Sequence, residues 1–190
     1  MHENHHKKHT MGFIKSGLFI SLDGGIEAPE TWHFPYFNDE MGAAVGQLMS
    51  EADATLLGRT TYEAFASYWP QADPADEMTA TMNGARKYVV SNTLSEATWE
   101  NSSVINDDVY ASLTTLKEDT GLSTTGSATL VRSLLEQGLV DELHLLVHPI
   151  VVGHGKKLFA DGQTVPLELK SATTFQTGVL HLVYTPATTA

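Results

Sequence analysis

The sequence predicts an α/β fold: a mostly parallel sheet with helices on both faces and an antiparallel pair of strands at one edge. Short apolar runs alternate with segments of helical spacing along most of the chain, the pattern of parallel strands joined by helical crossovers. Several of those runs stop at glycine or small polar residues just before the next helical pattern. The last stretch reads differently, as the two strands Val165–Phe175 and Gly178–Tyr184 joined near Thr177-Gly178 as a hairpin.

Taken in order, Phe13–Leu22 is rich in aliphatic and aromatic residues and is stopped by Asp23-Gly24-Gly25, as a central strand ending in a turn would be. Glu27–Phe37 carries two prolines with Trp32, Phe34, Tyr36 and Phe37 and has no period, which predicts an ordered loop packed on the core. Asn38 caps a helix over Asp39–Glu51, with Met41, Val45, Leu48 and Met49 on one face. Asp53–Leu57 is a strand and Thr61–Tyr68 a helix. Trp69–Asp76 is a loop and Glu77–Ala85 a short helix, followed by strands at Lys87–Val90 and Val104-Ile105. A helix over Asp107–Glu118 and a strand at Leu122–Thr124 come next. Leu130, Val131, Leu134 and Leu135 keep helical spacing until Gly138. Asp141–Val152 is then a long, mostly buried strand.

Composition bounds the function. The chain has 190 residues, with 42% hydrophobic and 18% charged, the mix of an ordinary globular domain. Its formal charge of −12 repels nucleic acid and anionic membrane at long range, so a phosphate held here is held locally, as in a small cofactor. Cysteine is absent, which removes disulfides, thiolate nucleophiles and zinc–sulfur sites and suits a cytoplasmic protein. No run reaches the length of a membrane span. Residues 1–11, with His2, His5, His6 and His9, are expected to be a flexible His-rich tail, either a tag or a native extension, and not a metal site. Residues 12–186 are expected to form one domain.

Three strand ends share one chemistry. Gly58-Arg59-Thr60-Thr61 places a glycine, a guanidinium and two hydroxyls where a strand gives way to a helix, whose free N–H groups and dipole favour an anion. Alone, this segment reads equally well as a turn with an N-cap threonine and a solvated arginine. Ser91-Asn92 and Gly126-Ser127-Ala128-Thr129 repeat the theme, and a dinucleotide laid across the sheet needs such a series. Neither a Gly-x-Gly-x-x-Gly run after the first strand nor a P-loop is present.

On these residues the chain resembles the dihydrofolate reductase-like superfamily, and most of all the reductase domain of the bifunctional riboflavin-synthesis deaminase-reductase. The matching motifs are Ser21-Leu22-Asp23-Gly24, Leu57–Glu63, Val89–Asn92, Gly126-Ser127-Ala128 and Gly138–Leu143 running on to Pro149–Gly153, in the family's order. The resemblance implies a three-layer α/β/α fold and NADPH as hydride donor. Arg59 would take the 2′-phosphate, Thr61 the pyrophosphate, Ser91 the adenosine side, and Gly126–Ala128 the pyrophosphate and nicotinamide half. The family-level activity is reduction of 5-amino-6-(5-phosphoribosylamino)uracil. Dihydrofolate reduction and non-catalytic NADPH binding are the alternatives.

The chain also departs from its relatives. Between Asp23 and Leu57 it has no Arg or Lys, where the riboflavin reductase carries arginines, and it has no counterpart of the zinc-bearing deaminase half. Asp39 is the acid nearest to the pterin-polarising carboxylate of dihydrofolate reductase, and it reads equally as a complement to its helix dipole. Asp23 is the candidate catalytic acid, with a turn aspartate as its plainer reading. Trp32, Phe34 and Phe37 are the candidates to stack on a flat substrate, or else to pack on the core. His144 and His148 read as structural or interface residues, and His154 as a loop residue beside the pocket. The long strand from Asp141 and the final hairpin leave an edge that a homodimer could cover.

Overall fold

A computed structural model of the chain describes residues 11–188, so residues 1–10 of the expected tail lie outside the described residues. The alternation read from the sequence becomes one mixed sheet of eight strands, in the order β4-β3-β2-β5-β1-β6-β8-β7. In chain order they are β1 (Phe13–Ser21), β2 (Ala54–Gly58), β3 (Lys87–Val90), β4 (Ser102–Ile105), β5 (Gly121–Thr124), β6 (Glu142–His148), β7 (Leu167–Thr174) and β8 (Leu180–Pro186). The first six run parallel, and β8 is antiparallel to both β6 and β7. The hairpin expected at Thr177-Gly178 is present, with Gly178 at φ 86 in its turn. The carboxyl ends of β3, β2, β5, β1 and β6 therefore lie side by side along one edge, where open α/β sheets collect ligands.

Five helices cover the two faces: α1 (Asp39–Glu51), α2 (Arg59–Tyr68), α3 (Glu77–Gly84), α4 (Val109–Leu116) and α5 (Ala128–Glu136). Alternation along β2 decides the sides. Leu56 joins Ile14, Leu18, Ile20 and Leu122 under Leu113 of α4 and the buried stripe Leu130, Val131, Leu134 and Leu135 of α5. Leu57 faces the other way, against Tyr62 of α2 and Met82 of α3. Met41 of α1 packs on that second face too, with Leu146, Phe175 and Val179. The layering is the three-layer α/β/α arrangement that the resemblance implies.

Element ends follow local chemistry. Asn38 caps α1 as expected, its side chain accepting from the Met41 N–H at 3.0 Å. β6 stops at His148, four residues short of the expected Val152, because Pro149 has no N–H to continue the ladder and the N–H groups of Val152 and Gly153 go to Asp23 instead. The expected loop Glu27–Phe37 contains two short 3₁₀ turns, Pro29–Thr31 and Phe34–Tyr36, with Trp32 and His33 buried between them.

Buried charge gathers at the amino ends of the strands. Lys87, fully buried at the start of β3, donates to the carbonyls of Asn83, Ala85 and Glu100 at 2.9, 2.7 and 3.1 Å and lies 4.0 Å from the centroid of the Trp99 ring. Burial pushes its ammonium down to about 8, still protonated at neutral pH, with its three donors on three carbonyls. At the start of β6, burial would raise the Glu142 carboxyl, and contacts with Lys170, His144 and Lys15 outweigh it, holding it at about 2. His144 links that carboxylate to His181 through contacts of 3.0 Å on each side.

Two predictions follow from these buried groups. Burial holds His33, His144, His148 and His181 below the ordinary histidine value of 6.5. The unfolded chain then binds protons before the folded one, so their contribution to stability is complete above 6.5 and is lost as pH falls below it toward the folded values. Urea midpoints recorded from neutral pH down to about pH 5 are expected to drop through this window, and a flat profile would refute the neutral burial. Replacing Lys87 with Met leaves three carbonyls without donors and is expected to cost about 2–3 kcal/mol in urea unfolding.

Candidate functional site

The ligand edge is assembled from strand-to-helix junctions that approach each other at van der Waals limits. The Gly58 N–H donates to the Gly126 carbonyl at 3.0 Å, joining the end of β2 to the loop after β5. A Cβ on Gly58 would lie 2.5 Å from Ser127 Oγ and 2.9 Å from Ser127 N. Gly126 holds φ at +146, where a Cβ would meet Thr61 Oγ1 at 2.9 Å. Glycine is needed at both positions by contact, and at Gly126 by backbone conformation too. Thr124, fully buried, steadies the turn from below by contacts of its hydroxyl with the Gly126 N–H and carbonyl at 3.4 and 3.3 Å.

This approach brings two helix N-termini to one place. α2 starts at Arg59, two residues before the Thr61 start expected from the sequence. Its N-cap is therefore Gly58, with no side-chain cap, and no threonine fills that role. The first-turn N–H groups of α2 are left for solvent or an anion. α5 starts at Ala128 and is capped by Ser127, whose hydroxyl accepts from Leu130 N at 3.4 Å. Thr60 and Thr129 are exposed and Thr61 half-buried at these termini.

Arg59 crosses from β2 to the end of β3. Its Nη1 donates to Thr93 Oγ1 at 3.2 Å while Nε lies 3.8 Å from Glu63, and half of the side chain remains exposed. Thr93 was not among the sequence-derived candidates, although it directly follows Ser91-Asn92. Ser91 is buried and spends its hydroxyl on the N–H groups of Thr93 and Leu94, at 3.2 and 3.0 Å, so it shapes the turn that presents Thr93. Asn92 is exposed beside it.

Asp23 has a different task from the one the sequence pointed to. Its Oδ1 accepts from Ser21 Oγ at 2.7 Å and from Val152 N at 3.1 Å, and its Oδ2 accepts from Gly153 N at 3.0 Å. The Ser21 hydroxyl and these two N–H groups hold the carboxyl at about 2. It has no proton to give at neutral pH and instead fastens the loop after β6 to the end of β1. Asp39, the other carboxylate weighed, is exposed in the first turn of α1.

The expected aromatic platform divides in two. Phe34 and Phe37 are open to solvent, 64% and 51% exposed, whereas Trp32 is 7% exposed, with its Nε1–H on the Glu27 carbonyl at 3.2 Å. Core packing takes Trp32 because its ring meets His148 edge-on, with centroids 5.1 Å apart. His154 is exposed in the loop after β6. Two surface hollows of about 600 and 680 Å³ lie elsewhere, one beside Arg86 and Trp99 and one at the amino ends of β2 and β5. Among the described residues no group of three or more His, Asp or Glu side chains converges to hold a metal, and no helix is long and apolar enough to cross a membrane.

The comparisons with known proteins agree with this architecture. The RibD C-terminal domain family matches residues 13–181. The uncharacterized protein YyaP of Bacillus subtilis (strain 168) is 32% identical over 177 residues, covering 88% of this chain and 91% of its own. YwjB of the same organism is 28% identical over 173 residues, covering 87% and 94%. Two solved structures share the fold at low identity. The deaminase/5-amino-6-(5-phosphoribosylamino)uracil reductase of Thermotoga maritima has a TM-score of 0.66 at 16% identity, over 93% of this chain and 57% of that one. The riboflavin biosynthesis reductase Rib7 of Saccharomyces has a TM-score of 0.62 at 16% identity, over 93% and 90%. The chain belongs to the RibD C-terminal domain family and is an oxidoreductase with the dihydrofolate reductase-like fold of the riboflavin-biosynthesis reductases.

Proposed function

We propose that the protein is an NADPH-dependent reductase that passes a hydride to a small, flat heterocycle or carbonyl compound. The observation that carries this reading is the meeting of the α2 and α5 N-termini at one edge of the sheet, with an uncapped first turn and glycines where any side chain would fill the approach. The residues fit a dinucleotide. The first-turn N–H groups and the hydroxyls of Thr60, Thr61 and Thr129 suit a pyrophosphate, and the guanidinium of Arg59, steadied by Thr93, suits the 2′-phosphate that separates NADPH from NADH. Ser91 and Asn92 form the adenosine side, and the backbone of Gly126–Ala128 the side toward the nicotinamide.

When bound, NADPH supplies the hydride. The chain's own residues supply alignment and a dry approach. Asp23 keeps the loop after β6 in register with β1, and on this reading water serves as the proton donor. Family membership favours a pyrimidine acceptor of the riboflavin-biosynthesis type. The flank between Asp23 and Leu57 holds Glu27, Glu30, Asp39 and Glu40 but no Arg or Lys, which favours an acceptor without the phosphate. The loop that carries Lys156 and Lys157 pairs with Gly25, and the Lys156 backbone N–H donates to the Glu27 carboxylate.

Arg59→Ala is expected to weaken NADPH binding about 10–100-fold and to leave NADH binding unchanged. Fluorescence titration of the reduced nicotinamide reads both; equal effects on the two cofactors would remove Arg59 from the 2′-phosphate site. Oxidation of NADPH followed by absorbance with pyrimidine, pterin, quinone and aldehyde panels is expected to find turnover. Tight binding without turnover on any panel would leave a nucleotide-binding protein in place of a reductase.

A further inference from the structure

Glu63 closes the Leu57–Glu63 motif and lies against Arg59, one turn further along α2 on the same face, with Oε1 3.8 Å from Arg59 Nε. At that separation the two charges face each other without a hydrogen bond. Both side chains are about half exposed, so the pair adds little to the stability of the fold. The guanidinium is engaged on two sides. Nη1 donates to Thr93 Oγ1 at 3.2 Å at the end of β3, and Nε faces the Glu63 carboxylate. Arg59 thus stands between a hydroxyl, which both accepts and donates, and a carboxylate, which at neutral pH only accepts.

Charge decides what each neighbour does when an anion arrives. A phosphate monoester carries about two negative charges at neutral pH. Thr93 has a proton to offer it, whereas Glu63, the one carboxylate of α2, competes with it for the same fork and repels it. The Debye length is about 8 Å at physiological salt, so repulsion between charges that share one guanidinium is only partly screened. The opposing effect, steadying of the arginine by Glu63, is smaller, because an exposed pair one turn apart without a hydrogen bond orders little and Thr93 already holds the fork.

We propose that Glu63 is a specificity-determining residue of the cofactor site: its carboxylate limits how strongly the Arg59 fork holds a 2′-phosphate. It lowers the affinity for NADPH and leaves that for NADH alone, so the preference between the two is moderate and the oxidised cofactor leaves readily. This rests on the reading of Arg59 as the 2′-phosphate residue and adds to it what sets the strength of that contact.

The test uses two pairs of ligands that differ only by the 2′-phosphate, 2′,5′-ADP against 5′-AMP and NADPH against NADH, titrated by calorimetry into the unmutated protein and into Glu63→Gln. Glutamine keeps the size of the side chain and removes its charge at an exposed position, which leaves folding intact. Glu63→Gln is expected to tighten 2′,5′-ADP and NADPH about three- to fivefold and to leave 5′-AMP and NADH unchanged. The gain is expected to shrink as salt is raised from roughly 50 to 500 mM. Glu63→Asp, which keeps the charge, is expected to stay near the unmutated affinities. No change in Glu63→Gln, an equal change for both members of a pair, or a gain that salt does not reduce would each overturn the proposal. Weaker binding of the 2′-phosphate ligands would overturn it too and make Glu63 a brace for Arg59. A lack of preference for the 2′-phosphate ligands in the unmutated protein is seen before any variant is made, and it would overturn the reading of Arg59 together with the proposal.

Discussion

The contact on which the ligand edge depends is the Gly58 N–H to Gly126 carbonyl bond, with two backbones in direct apposition and no space for a Cβ on either side. It draws the amino ends of α2 and α5 together, although their like-signed dipole ends repel. Ser127 offsets part of that cost at α5 by accepting from Leu130, and nothing in the side chains does so at α2. An anion placed at the α2 terminus would answer both its unfilled donors and the shared positive potential. In a chain of formal charge −12 this is a local reversal of sign, suited to a small phosphate ligand and unsuited to a polyanion that would meet the whole surface.

The placement of the paired charges complements that arrangement. Lys87, Glu142 with Lys15 and Lys170, and the Lys117–Asp141 pair all lie at or near the amino ends of the strands. Asp53 accepts the Gly121 N–H at the start of β5. These contacts fasten the edge of the sheet remote from the ligand. At the ligand edge the fastening is done largely by backbone and by neutral hydroxyls, Thr124 and Ser91, with the carboxylates of Asp23 and Glu27 holding main-chain N–H groups of the loop after β6. Strong side-chain ion pairs are thus kept away from the donors that would serve a cofactor, where a fixed carboxylate would compete for them.

The fold was legible because its signals are periodic. Parallel strands buried on both faces leave unbroken apolar runs, and α5 announces itself by Leu130, Val131, Leu134 and Leu135. The junctions proposed to hold the cofactor are visible for a related reason, since glycine beside hydroxyls at a strand end is a local pattern. What escaped the sequence depends on partners far along the chain. Asp23 is committed by Val152 and Gly153, 129 and 130 residues away, and no local pattern distinguishes such a tie from a catalytic acid. Trp32 reads in the sequence as either a stacking or a core residue, and His148 of β6, packed against it, decides for the core. The strand from Asp141 read as continuous because Ile150, Val151 and Val152 extend the apolar run, whereas Pro149 and the pull of Asp23 end it at His148.

The two halves of the candidate site therefore differ in what determines them. Main-chain N–H groups, two glycines and helix ends make the side proposed for the cofactor, and such groups follow from the fold itself, whatever side chains surround them. The side proposed for the acceptor presents side chains instead, with Phe34 and Phe37 exposed on a strap of short turns. A shared fold at 16% identity leaves the chemistry of such side chains free. Between Asp23 and Leu57 this chain carries Glu27, Glu30, Asp39 and Glu40 and no Arg or Lys. Phosphate recognition requires fixed positive charge or free backbone donors, and this segment offers mainly the opposite. Selectivity for the acceptor must then come from shape and a few buried hydrogen bonds, where a missing partner is costlier than any surface charge is helpful.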